Sequence, residues 1–229
     1  VLNSVSTVTA DNATVTITVN ATVYDASYSN SLEIKNGGTT ILTVTGLSWS
    51  NGTANRTVTL TSAQRTTLLN AMATVKSFTG TFALSSFSGS AQIGSTSSKT
   101  ATVQTTAANS APTLGGFTYE DSNTATKNIT EDNRLFIQNH SVLKVTPGTA
   151  TAKNGATITN YTASCDGLSV SNSTGAALSV GKITNSGNVM VTLTITDSRG
   201  YTADISKAVT VIPYSKPNVS SITLRRTND

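Results

Sequence analysis

The chain has 229 residues, of which 11% are charged and 5% aromatic, and its net charge is +4. Soluble domains normally carry about 25% charged residues, so polarity here comes from Ser and Thr, which fill about a third of the positions. A single cysteine rules out an internal disulfide framework, the low net charge argues against disorder, and no run approaches the ~20 apolar residues of a membrane helix.

From Ala13 to Val23 the sequence ATVTITVNATV sets Val15, Ile17, Val19, Ala21 and Val23 on one side, the period of two of a strand with one buried face. SLEIKNGGTTILTV reads as strand, Asn-Gly-Gly turn, strand, because Asn and Gly accept the positive φ of tight hairpins. RTVTL adds a strand with Val58 and Leu60 inward. The rhythm then changes. Leu68, Leu69, Met72 and Val75 fall on one helical stripe, and Thr61 with Gln64 matches a capping box. A helix near 63–74 is predicted, crossing one end of the sheets.

Strands resume with SFTGTFALSSF, where Phe78, Phe82 and Leu84 share a face, and with SKTATVQTTA. AANSAPTLGG, rich in small residues, Pro and Gly, reads as a linker that proteases should cut first, between Ala107 and Gly116. The second half repeats the pattern, with no helix expected. RLFIQNHSVLKVTP holds two short strands around Asn139 and His140. A turn at Asn154-Gly155 precedes a strand through Ile158, Tyr161, Ala163 and Cys165. VTLTITDSRGYTADI is a final hairpin: Val191, Leu193 and Ile195 face the core, Asp197 to Gly200 turn, and Tyr201, Ala203 and Ile205 return. Short strands at this spacing predict an all-β chain of two tandem immunoglobulin-like β-sandwich domains, 1–110 and 111–217, with 218–229 opening a following domain or tail.

Groups arranged for chemistry are sparse. His140 is the one histidine, and it sits in an expected turn, so no Ser-His-Asp arrangement is supported. Cys165 lies in strand phase and reads as a small core residue. Glu120-Asp121 and Glu131-Asp132 are loop acids that could hold a calcium ion, without the spacing of a known calcium loop. A Lys–Asn isopeptide cross-link is not expected, because the last strand, ADISKAVTVIPY, has no Asn. The Asn-x-Ser/Thr triplets are what this Ser and Thr content produces by accident. Basic residues are scattered singly apart from Arg225-Arg226 and lack interleaved aromatics, so nucleic acid is not an expected partner. Trp49, in the turn-flanking GLSWSNG, would plug one end of a sandwich or, with Tyr24 and Tyr28, present rings to a sugar.

LLNAMATVKSFTGTFALSSFSGSAQIGSTSSKTATVQ, APTLGGFTYEDSN, NHSVLKV, AKNGATITNYTASCDG and ITDSRGYTA together resemble tail-associated minor structural proteins of siphophages infecting Gram-positive bacteria. The ending SKPNVSSITLRRTND looks like the entry to a further domain in such proteins. The resemblance spans most of the chain. It implies immunoglobulin-like repeats in a tail fibre, tail tip or baseplate appendage of the virion, outside the cell. Its implied partners are other tail or baseplate proteins and host cell-wall polysaccharide. It implies no catalytic residue, no cofactor and no membrane, and leaves a homo-oligomer open. The expected role is a non-enzymatic spacer or host-surface contact. The alternatives are a carbohydrate-binding module at Trp49, Tyr24 and Tyr28, and a bacterial surface adhesin repeat.

Overall fold

A computed structural model describes residues 1–218 and 220–223. The expected start of a further domain over 218–229 falls largely outside the described residues, and Arg225-Arg226 falls wholly outside them.

The first sandwich runs β1 (Leu2–Val5), β2 (Val8–Thr9), β3 (Thr16–Val23), β4 (Ser29–Asn36), β5 (Thr39–Ser48), β6 (Gly52–Thr59), α1 (Ser62–Asn70), β7 (Ser77–Ser88) and β8 (Ala91–Gln104). There follow α2 (Ala107–Ser110), β9 (Thr113–Leu114), β10 (Phe117–Asp121), α3 (Thr124–Thr130), β11 (Leu135–Ile137), β12 (Val142–Pro147) and β13 (Ala150–Thr151). The chain continues through β14 (Ile158–Cys165), β15 (Leu168–Asn172), β16 (Leu178–Lys182), β17 (Gly187–Asp197) and β18 (Thr202–Ile212).

Two sheets make the first sandwich, ordered β1-β3-β6 and β2-β8-β7-β4-β5. The second has the same plan, β10-β12-β16 and β11-β18-β17-β14-β15, and a small β9-β13 pair is added. In both, the opening strand is split between the two sheets. Its second piece, β2 or β11, pairs parallel with the last strand, β8 or β18. One strand order used twice is the immunoglobulin-like arrangement the strand spacing predicted.

Alternation builds the first core. Ile17, Val19 and Ala21 of β3 are wholly buried, and Thr18, Asn20 and Thr22 between them are only partly covered. They meet Leu32 and Ile34 of β4, Phe82 and Leu84 of β7, Val103 of β8, and Leu68, Leu69 and Met72 at α1. Each such side chain contributes roughly 1.5–3 kcal/mol by leaving water. The outer face carries hydroxyls and amides in register, Asn20 opposite Asn55 and Thr22 opposite Thr53. Asn20 Nδ2 donates to Asn55 Oδ1 at 2.8 Å, and the Thr22 and Thr53 hydroxyls lie 2.7 Å apart.

The chain divides into two compact units. One comprises Val1–Gly116, Gly148–Tyr161 and Thr194–Asp204; the other comprises Phe117–Pro147, Thr162–Leu193 and the described residues from Ile205 onward.

Three expectations need correction. The helix ends at Asn70, with Ala71 as its C-cap, rather than near 74, and Val75 is 38% exposed instead of completing the stripe. Its start is as predicted: Thr61 Oγ1 accepts from Gln64 N, and Gln64 Oε1 accepts from Thr61 N at 2.9 Å. The second half does contain a helix. α3 has no apolar period to reveal it; it is started by Asn123, whose side chain accepts from Ala125 N, and ended by Glu131 at φ 53°. The supposed linker is tied down. Asp11 Oδ2 accepts from Thr106 N at 2.7 Å, from the Thr106 hydroxyl and from Ser110 Oγ at 2.8 Å, and Ser110 and Pro112 are buried. Small residues here allow close packing, not slack.

Candidate functional site

Three surface features stand out, each within one unit. In the first unit, Tyr24 and Tyr28 flank the β3–β4 connection. They share a groove of about 210 Å³ with Ile93 and Gly94 of β8 and with Leu84, Ser86 and Ser97. Tyr24 is 76% exposed, the largest aromatic exposure among the described residues, and Tyr28 is half-buried. Trp49 does not line this groove. It packs against the core, with the Arg56 guanidinium 5.7 Å from its ring centroid. Arg56 is held by Ser50 O at 2.6 Å and Gly52 O at 3.0 Å, so it closes the β5–β6 turn over the indole. Of the three rings grouped by sequence, the structure brings two to one groove.

In the second unit, Phe117, Thr118, Tyr119, Arg134 and Lys207 line a groove of about 220 Å³. A second groove, of about 250 Å³, shares Thr118, Tyr119 and Arg134 with it and adds Glu120, Asn133 and Thr146. Tyr119 stands between Phe117 and Phe136, with ring centroids 6.5 and 6.1 Å away. Lys207 Nζ lies 4.8 Å from the Phe117 centroid and donates to Phe117 O. Lys144 is paired with Glu120 at 2.9 Å. None of these residues except Glu120 was singled out from the sequence. Strand pairing brings them together from four segments, 117–120, 133–136, 144–146 and 207, and no spacing within one segment signals that.

The third feature is a groove of about 320 Å³ bordered by Ile129, Ile137, His140 and Tyr214. His140 is exposed and meets the Tyr214 ring edge-on at 4.4 Å.

The remaining candidates have structural partners. Burial, with the nearby Asp166 carboxylate second, pushes the Cys165 thiol up to about 11. Asp121 is fully buried. Burial raises its pKa, but hydrogen bonds from Thr126, Ser141, Asn123 N and Val142 N outweigh that and hold it below the usual carboxylate range. Asp132 Oδ1 accepts from Arg134 N at 2.8 Å, and Glu131 ends α3. The four acids considered for calcium thus serve an ion pair, a buried knot, a turn and a helix end. Among the described residues no three His, Cys, Asp or Glu side chains group as metal ligands. No helix among them is long and apolar enough to cross a membrane.

No sequence pattern singles out Arg199. It is 5% exposed although its hairpin tip reads as a surface turn. Its guanidinium donates to Met72 O at 2.8 Å, Lys153 O at 2.9 Å, Leu69 O at 3.4 Å and Asn154 O. Leu69 lies in the last turn of α1 and Met72 in the turn that follows it; their carbonyls also accept from Met72 N and Val75 N, and the negative end of the helix dipole favours a cation there. Asp197 Oδ1 accepts from Arg199 N at 3.0 Å and Tyr201 N at 2.8 Å, as the turn chemistry predicted, and Gly200 takes φ 81°. Arg199 is a structural clamp inside the first unit.

Fold and surface define an immunoglobulin-like β-sandwich protein with shallow, open grooves. The chain belongs to a siphovirus protein family of unknown function, DUF859, whose model matches residues 4–229. No curated protein matches it. Similar solved structures include the fibronectin(III)-like modules of Clostridium thermocellum CbhA, at 19% identity and TM-score 0.36, covering 86% of each chain. A Ca2+-stabilized adhesin of an Antarctic bacterium is similar at 15% identity and TM-score 0.31, covering 93% of this chain and 50% of that one.

Proposed function

We propose that this siphovirus protein is a non-enzymatic structural or adhesion module of the phage tail, serving as a spacer or as a contact with the surface of a Gram-positive host. The observation that carries the reading is a repeated sandwich clad in hydroxyls and amides, in a chain of siphovirus family membership. Such surfaces satisfy their polar groups across strands and need no disulfide, which suits a protein exposed outside the cell. The acids and the histidine serve turns, caps and ring contacts, as expected of a scaffold. Purified chain, added to host cells before infection, is expected to slow phage adsorption if it contacts the host. Unchanged adsorption, together with absence of the protein from purified particles, would contradict both roles.

The Tyr24–Tyr28 groove favours a second reading, recognition of a neutral cell-wall polysaccharide by stacked rings. There Tyr24→Ala should abolish glycan binding, and Trp49→Ala should act only through stability.

A further inference from the structure

We propose that the paired grooves around Tyr119 in the second unit form a binding site for an anionic glycan, a polyhydroxylated chain bearing carboxylate or phosphate groups. The two grooves adjoin along β10, with Thr118, Tyr119 and Arg134 common to both. β10 is an edge strand of its sheet and β11 an edge strand of the other, so the site lies along the open side of the sandwich. Extended backbone rises about 3.3 Å per residue, which makes Phe117 to Glu120 a floor about 10 Å long.

Charge selects the ligand. Glu120 is neutralised by Lys144 at 2.9 Å. Lys207 spends one donor on Phe117 O and keeps the others. The exposed Arg134 guanidinium has no partner among the described residues. The site therefore presents two uncompensated cations, with Thr118, Asn133 and Thr146 between them for hydroxyl contacts and Tyr119 as an aromatic wall. The groove at Tyr24 and Tyr28 has no Lys or Arg side chain in its lining. Nucleic acid fits poorly. Single strands are held by successive rings on which neighbouring bases stack, and of the rings lining these grooves only Tyr119 is not buried. A protein strand added to β10 also fits poorly, because Lys207 already occupies the Phe117 carbonyl.

The inference rests on the host-contact reading for its biological setting only. Binding by the isolated chain to defined ligands tests the site whether or not the protein is found in the tail. The probes are an oligogalacturonide, a glycerol-phosphate oligomer, a neutral malto-oligosaccharide and an oligothymidylate, each titrated by calorimetry at low and high salt. Either anionic oligomer should bind more tightly than the neutral one and weaken with salt; which of the two binds identifies the source of the charge. Arg134→Ala, at an exposed position that leaves the fold intact, should weaken that binding about tenfold, the loss of one charge-assisted hydrogen bond. Tyr24→Ala should leave it unchanged. Equal affinity for the neutral oligomer, no effect of Arg134→Ala, tighter binding of oligothymidylate, or no binding of either anionic oligomer would overturn the proposal.

Discussion

Arg199 shows how much one side chain in a low-charge chain can do. Removing it takes a charge-assisted hydrogen bond from each of four main-chain carbonyls, of which those of Leu69, Met72 and Lys153 keep a backbone N–H donor, and takes away a cation that interacts with Asp197. Asp197 Oδ1 would keep its two turn N–H donors, but Asp197 Oδ2 already lacks a hydrogen bond among the described residues and would lose a neighbouring cation as well. Arg199→Met should cost about 3 kcal/mol, read as a lower urea midpoint, and Arg199→Lys should lose less, because it keeps the charge but not the fork. A midpoint unchanged in Arg199→Met would show that the clamp is idle. Cys165 makes a milder point. With its pKa raised to about 11 and its side chain buried, the thiol should react slowly with an alkylating reagent at pH 8 and rapidly once unfolded. Fast labelling of the native chain would contradict its place in the core. Strand phase made Cys165 legible in advance. Burial of Arg199 was not, because its partners are carbonyls from segments remote in sequence.

Elements were legible where a period could be counted. Alternation located β3, β4, β7 and β17, and the Thr61–Gln64 box located the start of α1. Its end was misplaced because Met72 is buried in a turn that follows the helix, which extends the apolar stripe beyond the helical residues. α3 escaped notice because TATKNIT is rich in β-branched residues and holds its shape through Asn123 and Asp121. Thr61→Ala should cost about 1 kcal/mol, the usual value of an N-cap, and a loss near zero would mean that packing alone fixes α1. Asp121 gives the β10–α3 corner a pH dependence. Its folded pKa is depressed below an unfolded value of about 3.9. Its contribution is therefore complete above that value and is lost as pH falls through the folded pKa. The urea midpoint should drop between pH 5 and pH 2.5, and Asp121→Asn should lower the pH 5 midpoint and flatten the drop. An equal drop in both proteins would remove Asp121 from the explanation.

Across the whole molecule, composition and strand spacing conveyed the sandwich plan. They did not convey the surfaces. Tyr24 and Tyr28 share a groove because the short β3–β4 connection places them at its two ends, which the sequence did suggest. Trp49 packs against the core, in line with the plugging role that its turn-flanking position suggested, with Arg56 over its ring. The cationic groove of Tyr119, Arg134 and Lys207 depends on the pairing of β11 with β18 and on the edge position of β10, and neither can be counted from local spacing. The proposed function makes this siphovirus family member a component of the tail that faces the outside of the particle. Immunogold electron microscopy of intact virions, with antibodies raised against this chain, tests that assignment. Gold confined to the tail is the expected outcome, and unlabelled particles alongside a strong signal in infected-cell lysate would contradict it.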